Sequence, residues 1–353
     1  MLDLLYTEAL KKKNSINHIA DEILDKKIDI ESMWNSKKIS PSTTNYTLAG
    51  GDGSFNKKKF LKFIFYAVGA ETLVYTPNDT SSRIKTIESV EVDIMLHQYF
   101  LEDRLRNMMA TFEIKTANKA FNDYNIDYYM EDGSILGDLI RPIPVEKNIP
   151  IHYKMDIMRK IKETEFNISP LKLKEEYEEL IENEKIDENS LLSFLENLEH
   201  LLLLKNLLNN KEKLIAISKT STSNDIFHGN VPDIAIFDSF TKKEGYSKPY
   251  YKKVTNEVKH DFLIEDSFFK ELWFTIFFAR LEDNKNIIKI ELPYYVEENE
   301  IENILSILKS NATDGYPFLL KKAHNDVVIK NKDMASLSHI IEFIDKSGRE
   351  MLD

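Results

Sequence analysis

Two short stretches carry the side chains best suited to chemistry. Asp52-Gly53-Ser54 follows the apolar run from Tyr46 to Ala49 and the pair Gly50-Gly51, and Asp132-Gly133-Ser134 follows a second apolar run beginning at Tyr128. A β-prone run that breaks at glycine ends a strand, and it sets the next carboxylate at a sheet edge on a tight turn. Two such strand ends side by side would bring Asp52 and Asp132 together. Adjacent carboxylates repel unless a proton or a cation lies between them, which makes the pair raw material for a divalent-metal site. Asp-Gly is also a common hairpin turn and serine a common turn residue. The repetition after two apolar runs lifts the pair above an ordinary turn to a motif hypothesis.

Few other residues offer catalytic chemistry. Glu113 lies in a stretch of helical pattern, and its neighbours one turn away (Met109, Ala110, Thr116 and Ala117) are uncharged. That pattern points Glu113 at protein, where a carboxylate needs a partner; the alternative is an ordinary exposed helix glutamate. Of eight histidines, His324 stands out, in a polar-apolar alternation with Lys321, Lys322 and Asp326. There is no His-Glu-x-x-His, no Gly-x-Ser-x-Gly, no phosphate-binding Walker loop and no dinucleotide fingerprint, and glycines number only ten. Carboxylates with one imidazole suit hard divalent cations such as Mg²⁺ or Mn²⁺.

Composition narrows the class. The 353 residues are 42% apolar and 30% charged, as in a soluble globular protein, and long enough for several domains or one large core with an insertion. No apolar run approaches the ~18 residues of a membrane span, and Lys11-Lys12-Lys13 is not followed by an apolar signal segment. The absence of cysteine excludes thiolate chemistry and fits a cytoplasmic protein. A net charge of −12 argues against a surface that coats nucleic acid, though not against a narrow basic channel. Lys57, Lys58, Lys59 and Lys62, directly after the first Asp-Gly-Ser, are the candidate DNA-binding cluster.

The elements that must position these residues follow from periodicity. Residues 1 to about 40 read as helical, and Ile39 to Thr44 as a linker. Strands are expected at 46–49, 60–75, 87–95, 126–130, 214–218, 272–280 and 287–292, the last two forming a hairpin. Helices are expected at 96–121 and 300–309 and near 336–345, while 233–240 is open between strand and helix. The stretch 241–253 reads as a loop with three tyrosines. A charged helix capped by Ser169 and Pro170 and a Leu-rich helix over 190–209 form an inserted hairpin whose Leu201–Leu204 face is either buried or an interface. The resulting division is 1–43 helical, 44–150 first core part, 151–212 helical insertion and 213–353 second core part.

The order of motifs resembles a known family. Along the chain stand Asp-Gly-Ser-Phe-Asn from Asp52, the helical Glu113, Asp-Gly-Ser-Ile-Leu from Asp132, Ile-Ser-Lys-Thr-Ser around Lys219, and Tyr-Pro-x-x-Leu-x-x-Ala-His from Tyr316 to His324. This looks like the NurA nucleases, archaeal enzymes that work with the hexameric translocase HerA in DNA end resection. The similarity covers about residues 44 to 340, and the matching positions are Asp52, Glu113, Asp132, Lys219, Tyr316 and His324. It implies an α/β fold with an RNase H-like core, a central mixed β-sheet flanked by helices. It further implies a homodimer enclosing a narrow DNA channel, a HerA partner, and Mn²⁺-dependent cleavage with Mg²⁺ as the alternative ion. The implied activity is 5′–3′ exonuclease with single-strand endonuclease action in double-strand break repair. Under that resemblance Asp52 is the principal metal ligand and Asp132 and Glu113 complete the shells. His324 binds metal or orients water, Lys219 neutralises the scissile phosphate, and Tyr316 positions the backbone or His324. Two other classes compete: an actin-like phosphotransferase or ATPase, disfavoured by the scarcity of glycine, and a non-catalytic module that binds through its Leu-rich hairpin.

Overall fold

Long runs of alternating and β-branched residues build a large sheet, and the helices between them cover both its faces. The computed structural model describes residues 1–24, 30, 32–77, 83–96, 100–141, 149–163, 174, 176–177, 182 and 185–342. In chain order the elements are α1 (Leu2–Leu24), β1 (Trp34–Ser36), β2 (Leu48–Lys59), β3 (Ile64–Tyr75), β4 (Ile84–Met95), α2 (Leu101–Asp123), β5 (Tyr128–Asp132) and α3 (Ile135–Ile140). They continue with α4 (Ile151–Glu163), α5 (Glu188–Leu208), β6 (Leu214–Ser218), α6 (Asp233–Phe240), β7 (Gly245–Ser247), β8 (Tyr250–Lys253), α7 (Val254–Glu257) and α8 (Asp266–Lys270). The chain then forms β9 (Trp273–Arg280), β10 (Ile288–Leu292), α9 (Glu298–Ser310), a small β11–β12 hairpin (Ala312–Thr313 and Tyr316–Pro317), α10 (Phe318–Val327) and α11 (Asn331–Ile340).

The main sheet has ten strands in the order β1-β7-β9-β10-β6-β5-β2-β3-β4, with β8 also paired to β9. β2, β5 and β6 run parallel to one another, and the other pairings are antiparallel, so the sheet is mixed. Side chains alternate across it. Ala49, Tyr129, Leu214 and Ala216 face a core shared with α2 and α5. Leu48, Met130, Ile215 and Ile217 face the opposite core, shared with α9 and α10.

α5 answers the question posed by its leucines. Leu201 and Leu204 are buried, and so are Glu196, Asn197, Glu199 and His200 on its flank against α2. Those polar groups are paired across the two helices: Arg104 donates to Glu196 at 2.9 Å, Lys115 meets Glu199 at 2.9 Å, and Asn206 donates to Asn118 at 3.0 Å. Such a seam admits one rotation of α2, because a slipped register would strand buried charges. In that rotation Glu113 points at the sheet.

Several expectations need correction. The first strand does not stop at Gly50-Gly51: β2 runs through Asp-Gly-Ser to Lys59, and Asp52 lies opposite Glu71 within it. The glycines are there for close approach, not for a turn. A Cβ on Gly51 would come within 2.4 Å of the Tyr129 hydroxyl and 2.8 Å of Thr72 Oγ1. The N-terminal segment is helical over Leu2–Leu24, and its Trp34–Ser36 stretch forms the edge strand β1. The stretch 241–253 holds β7 and β8 rather than a loop, and Tyr246 is buried. The polar-apolar alternation around His324 belongs to a helix. The charged helix expected from Pro170 lies mostly outside the described residues, and α4, for which no separate helix was expected, lies at the start of the stretch read as a helical insertion. Residues 233–240 are helix, and the 272–292 hairpin forms as expected.

Gly51→Ala should therefore lower stability by about 2 kcal/mol, the usual cost of overpacking a filled core. Denaturant unfolding with an unchanged m-value would check it, and a neutral effect would show that Tyr129 can move aside.

Candidate active site

The site forms where the parallel strand β5 gives out beside β2. β5 pairs with β2 only as far as Gly51, so Asp52 is the first β2 residue past its parallel neighbour while β3 still covers its other side. Asp132, the last residue of β5, ends on the same sheet face by strand alternation. α10 closes that face. Leu319 and Leu320 pack over Gly50, where a Cβ would lie 3.2–3.3 Å from their side chains, and this close seating brings His324 down onto Asp52. The loop after α10 is pinned to the same strand, with the Ile329 amide donating to Ser54 Oγ at 3.1 Å and Asn56 donating to the Ile329 carbonyl at 3.0 Å.

Asp52, Asp132 and His324 converge. One ligand atom from each lies within 4.8 Å of the other two. His324 Nδ1 is 2.7 Å from Asp52 Oδ2, and the Gly53 amide donates to Asp52 Oδ1 at 2.8 Å. Lys219, one residue past β6, donates to Asp132 Oδ2 at 2.6 Å and stands 4.9 Å over the Tyr316 ring. The Tyr316 hydroxyl is buried near Asp132 without a well-formed hydrogen bond. Five of the six expected residues thus meet on one face.

Glu113 is the sixth, and it reaches the site from the opposite face. It is buried, as its uncharged neighbours implied, and it presses on β2 so closely that a Cβ on Gly53 would lie 2.5 Å from its Oε1. It is not part of the three-residue cluster found among the described residues. Its company there is Glu131, which no motif pointed to. Period-two alternation carries the signal, since Glu131 shares the inward face of β5 with Tyr129. Glu131 Oε2 is buried with no hydrogen-bond partner.

The electrostatics follow from burial and crowding. Desolvation, then the charge of Asp132, raises the Asp52 carboxyl against the lowering pull of His324 and the Gly53 amide. Glu113 is pushed well above the usual carboxylate range by burial and then by Glu131, Asp52 and other acids. Burial and then Asp138, Asp132 and Asp52 push Glu131 up to about 8. Burial raises Asp138 to about 6. This many carboxylates cannot all ionise together without added positive charge. The orphaned Glu131 oxygen and the all-oxygen-plus-imidazole donor set fit a hard divalent cation.

The candidate DNA contacts are less concentrated than their sequence suggests. Lys57, Lys58 and Lys59 lie on β2, so Lys58 faces one side of the sheet and its neighbours the other. Lys57 is paired with Glu102 of α2, and Lys58 stands over the Phe60 ring. Lys59 and Lys62 are exposed.

Comparison with known proteins decides the family. The NurA domain model matches residues 46–329. The chain belongs to the NurA family. It is 32% identical to the probable DNA double-strand break repair nuclease NurA of Methanocaldococcus jannaschii, over 98% of this chain and 89% of that protein. The NurA fold is shared with the crystal structure of the NurA nuclease from Sulfolobus solfataricus, at TM-score 0.75 and 22% identity over 97% of each chain. A crystal structure of NurA with manganese superposes at TM-score 0.70 and 17% identity, covering 95% of this chain and 99% of the other. As a member of the NurA family, this chain is a nuclease.

Proposed function

We propose that the chain is a divalent-metal-dependent deoxyribonuclease that hydrolyses phosphodiester bonds at Asp52, Asp132 and His324. The observation that carries this reading is the convergence of those three ligand atoms within 4.8 Å, on a NurA chain. Asp52, Asp132 and His324 would hold the ion, with Glu113 and Glu131 closing the acidic site from the other face. Mn²⁺ is the proposed ion, with Mg²⁺ as the alternative. When bound, such an ion polarises the phosphoryl oxygens and lowers the pKa of water.

The chain's own groups do the rest. Lys219, whose side chain is 43% exposed beside Asp132, offers its ammonium to the phosphate. With Nδ1–H donating to Asp52, the His324 lone pair sits on Nε2, the ring atom that would ligate the ion. The Tyr316 ring holds Lys219 by a cation–π contact.

The finer proposals rest on the family resemblance: a 5′–3′ exonuclease with single-strand endonuclease action, a role in double-strand break repair, a HerA-type translocase partner, and a homodimer. Support for the homodimer comes from α1, whose Leu2, Leu4, Leu5 and Leu10 are exposed and lack a covering element among the described residues. Support for an RNase H-like core comes from the antiparallel run β4-β3-β2 continued by parallel β5 and β6.

Incubation with 5′- or 3′-end-labelled single- and double-stranded DNA tests the proposal. Cleavage with Mn²⁺ that EDTA removes is the expected result. Intact DNA under all metal conditions, or cleavage that persists in EDTA, would overturn it.

A further inference from the structure

The nuclease reading leaves one feature without a role, a groove of about 610 Å³ on the far side of the sheet end from His324. It lies between α3 and the 220–225 segment and is walled by residues that continue straight from the site. Ser134 is two residues past Asp132, and Ser218 immediately precedes Lys219. Because β5 and β6 both end here, a strand whose phosphate reaches Asp52 and Asp132 can pass over the sheet end into this groove.

Its chemistry favours a base over a phosphate. The deep cations are already engaged: Lys289 is bridged to the fully buried Glu291 at 2.8 Å, and Lys252 to Asp225 at 2.7 Å. Glu291 also accepts from Ser134 Oγ at 2.8 Å and from the Leu136 amide at 3.2 Å, which locks the wall in place. What remains for a ligand is the aliphatic surface of Ile140, over the buried Leu136 and Ile276, beside the rim hydroxyls of Thr220 and Thr222. Flat apolar faces with polar edges match that lining. Arg141 stands at the mouth with its side chain 58% exposed, suited to a backbone phosphate outside the groove. The volume lies within the range of small-molecule pockets, with room for a nucleoside.

We propose that this groove receives the base of the nucleotide adjoining the scissile phosphate, so that the substrate strand must be unpaired at that position. The proposal rests on the nuclease reading but is tested without cleavage.

Single-stranded oligonucleotides carrying 2-aminopurine at successive positions from the end would be bound in Ca²⁺. A base moved from its stack into a groove with aliphatic and hydroxyl walls gains emission. One position should brighten with the wild-type protein, and that gain should vanish in the Ser221→Leu/Thr222→Leu protein, whose leucines fill the groove without quenching. An oligonucleotide abasic at that position should bind the wild type about tenfold more weakly, the scale of one lost base contact, and bind the filled variant no more weakly than its base-bearing counterpart. Equal emission in both proteins, or binding with no brightened position, overturns the groove assignment alone. DNA that does not bind the wild type at all overturns the nuclease reading together with it.

Discussion

Asp52→Asn should lower DNA cleavage by about a thousandfold while the protein stays folded. Asparagine keeps the volume at a crowded position between Glu71 and α10, and its amide oxygen can still accept from Gly53. The negative charge is what disappears, and with it the centre of the cluster that also includes Asp132 and His324. The substitution removes a buried carboxylate held next to another, so the metal-free protein should be at least as stable as the wild type. Initial rates on end-labelled DNA in Mn²⁺, beside matched circular dichroism spectra, decide it. A folded Asp52→Asn protein cutting at the wild-type rate would remove Asp52 from the site.

The second large effect concerns pH and metal together. Glu131 is pushed up to about 8 and Asp138 to about 6, each chiefly by burial, and Glu71 to about 7 by burial and then Asp326. The unfolded chain releases these protons near the ordinary carboxylate pKa of about 4–4.5. Between that pH and about 8 the folded protein therefore holds more protons than the unfolded chain, so metal-free stability falls as pH rises through the window. A bound dication reverses the penalty, because the deprotonated carboxylates become its ligands or its counter-charge. At about a hundredfold its Kd, Mn²⁺ should add about 2.7 kcal/mol, a shift of several degrees in Tm. At a fixed Mn²⁺ concentration the shift should be larger at pH 8 than at pH 5, because the affinity rises as the carboxylates lose their protons. Thermal unfolding with EDTA or Mn²⁺ across that range checks the sign. A metal-free Tm that is flat or rising from pH 5 to 8 would show that these acids are not held protonated in the fold.

How far the site could be read from the chain differs residue by residue. Asp132 was placed correctly because a short apolar run does end there, and a strand end is a local event. Asp52 was singled out for the right reason but given the wrong backbone. Gly50, Gly51 and Gly53 read as a break when each in fact yields space to a partner: Leu320, Tyr129 and Glu113 respectively. Those partners are 270, 78 and 60 positions away along the chain, and local propensity cannot register them. The stretch around His324 read as a polar-apolar alternation, because a ten-residue helix with Ala323 buried between the half-buried Lys322 and the exposed His324 alternates over a few residues. Glu131 went unnoticed next to Asp132 because adjacent strand residues belong to opposite faces, and only the assembled sheet shows both faces acidic.

The sheet and its covering helices were more accessible than the site. The strands at 84–95, 214–218 and 273–292 are long or strongly apolar, and their pattern survived tertiary packing. The short strands β7 and β8 did not announce themselves, since each leans on β9 for its pairing rather than on its own composition. Family resemblance supplied Lys219 and Tyr316, whose roles depend on a contact between residues 97 positions apart.

The most direct test is the position of the metal itself. Crystals grown with Mn²⁺ and measured at the manganese absorption edge should give an anomalous peak within coordination distance of Asp52, Asp132 and His324, and Asp52→Asn crystals should lack it. A wild-type peak bound elsewhere, or none at saturating Mn²⁺, would contradict the assignment of these three residues as the metal site.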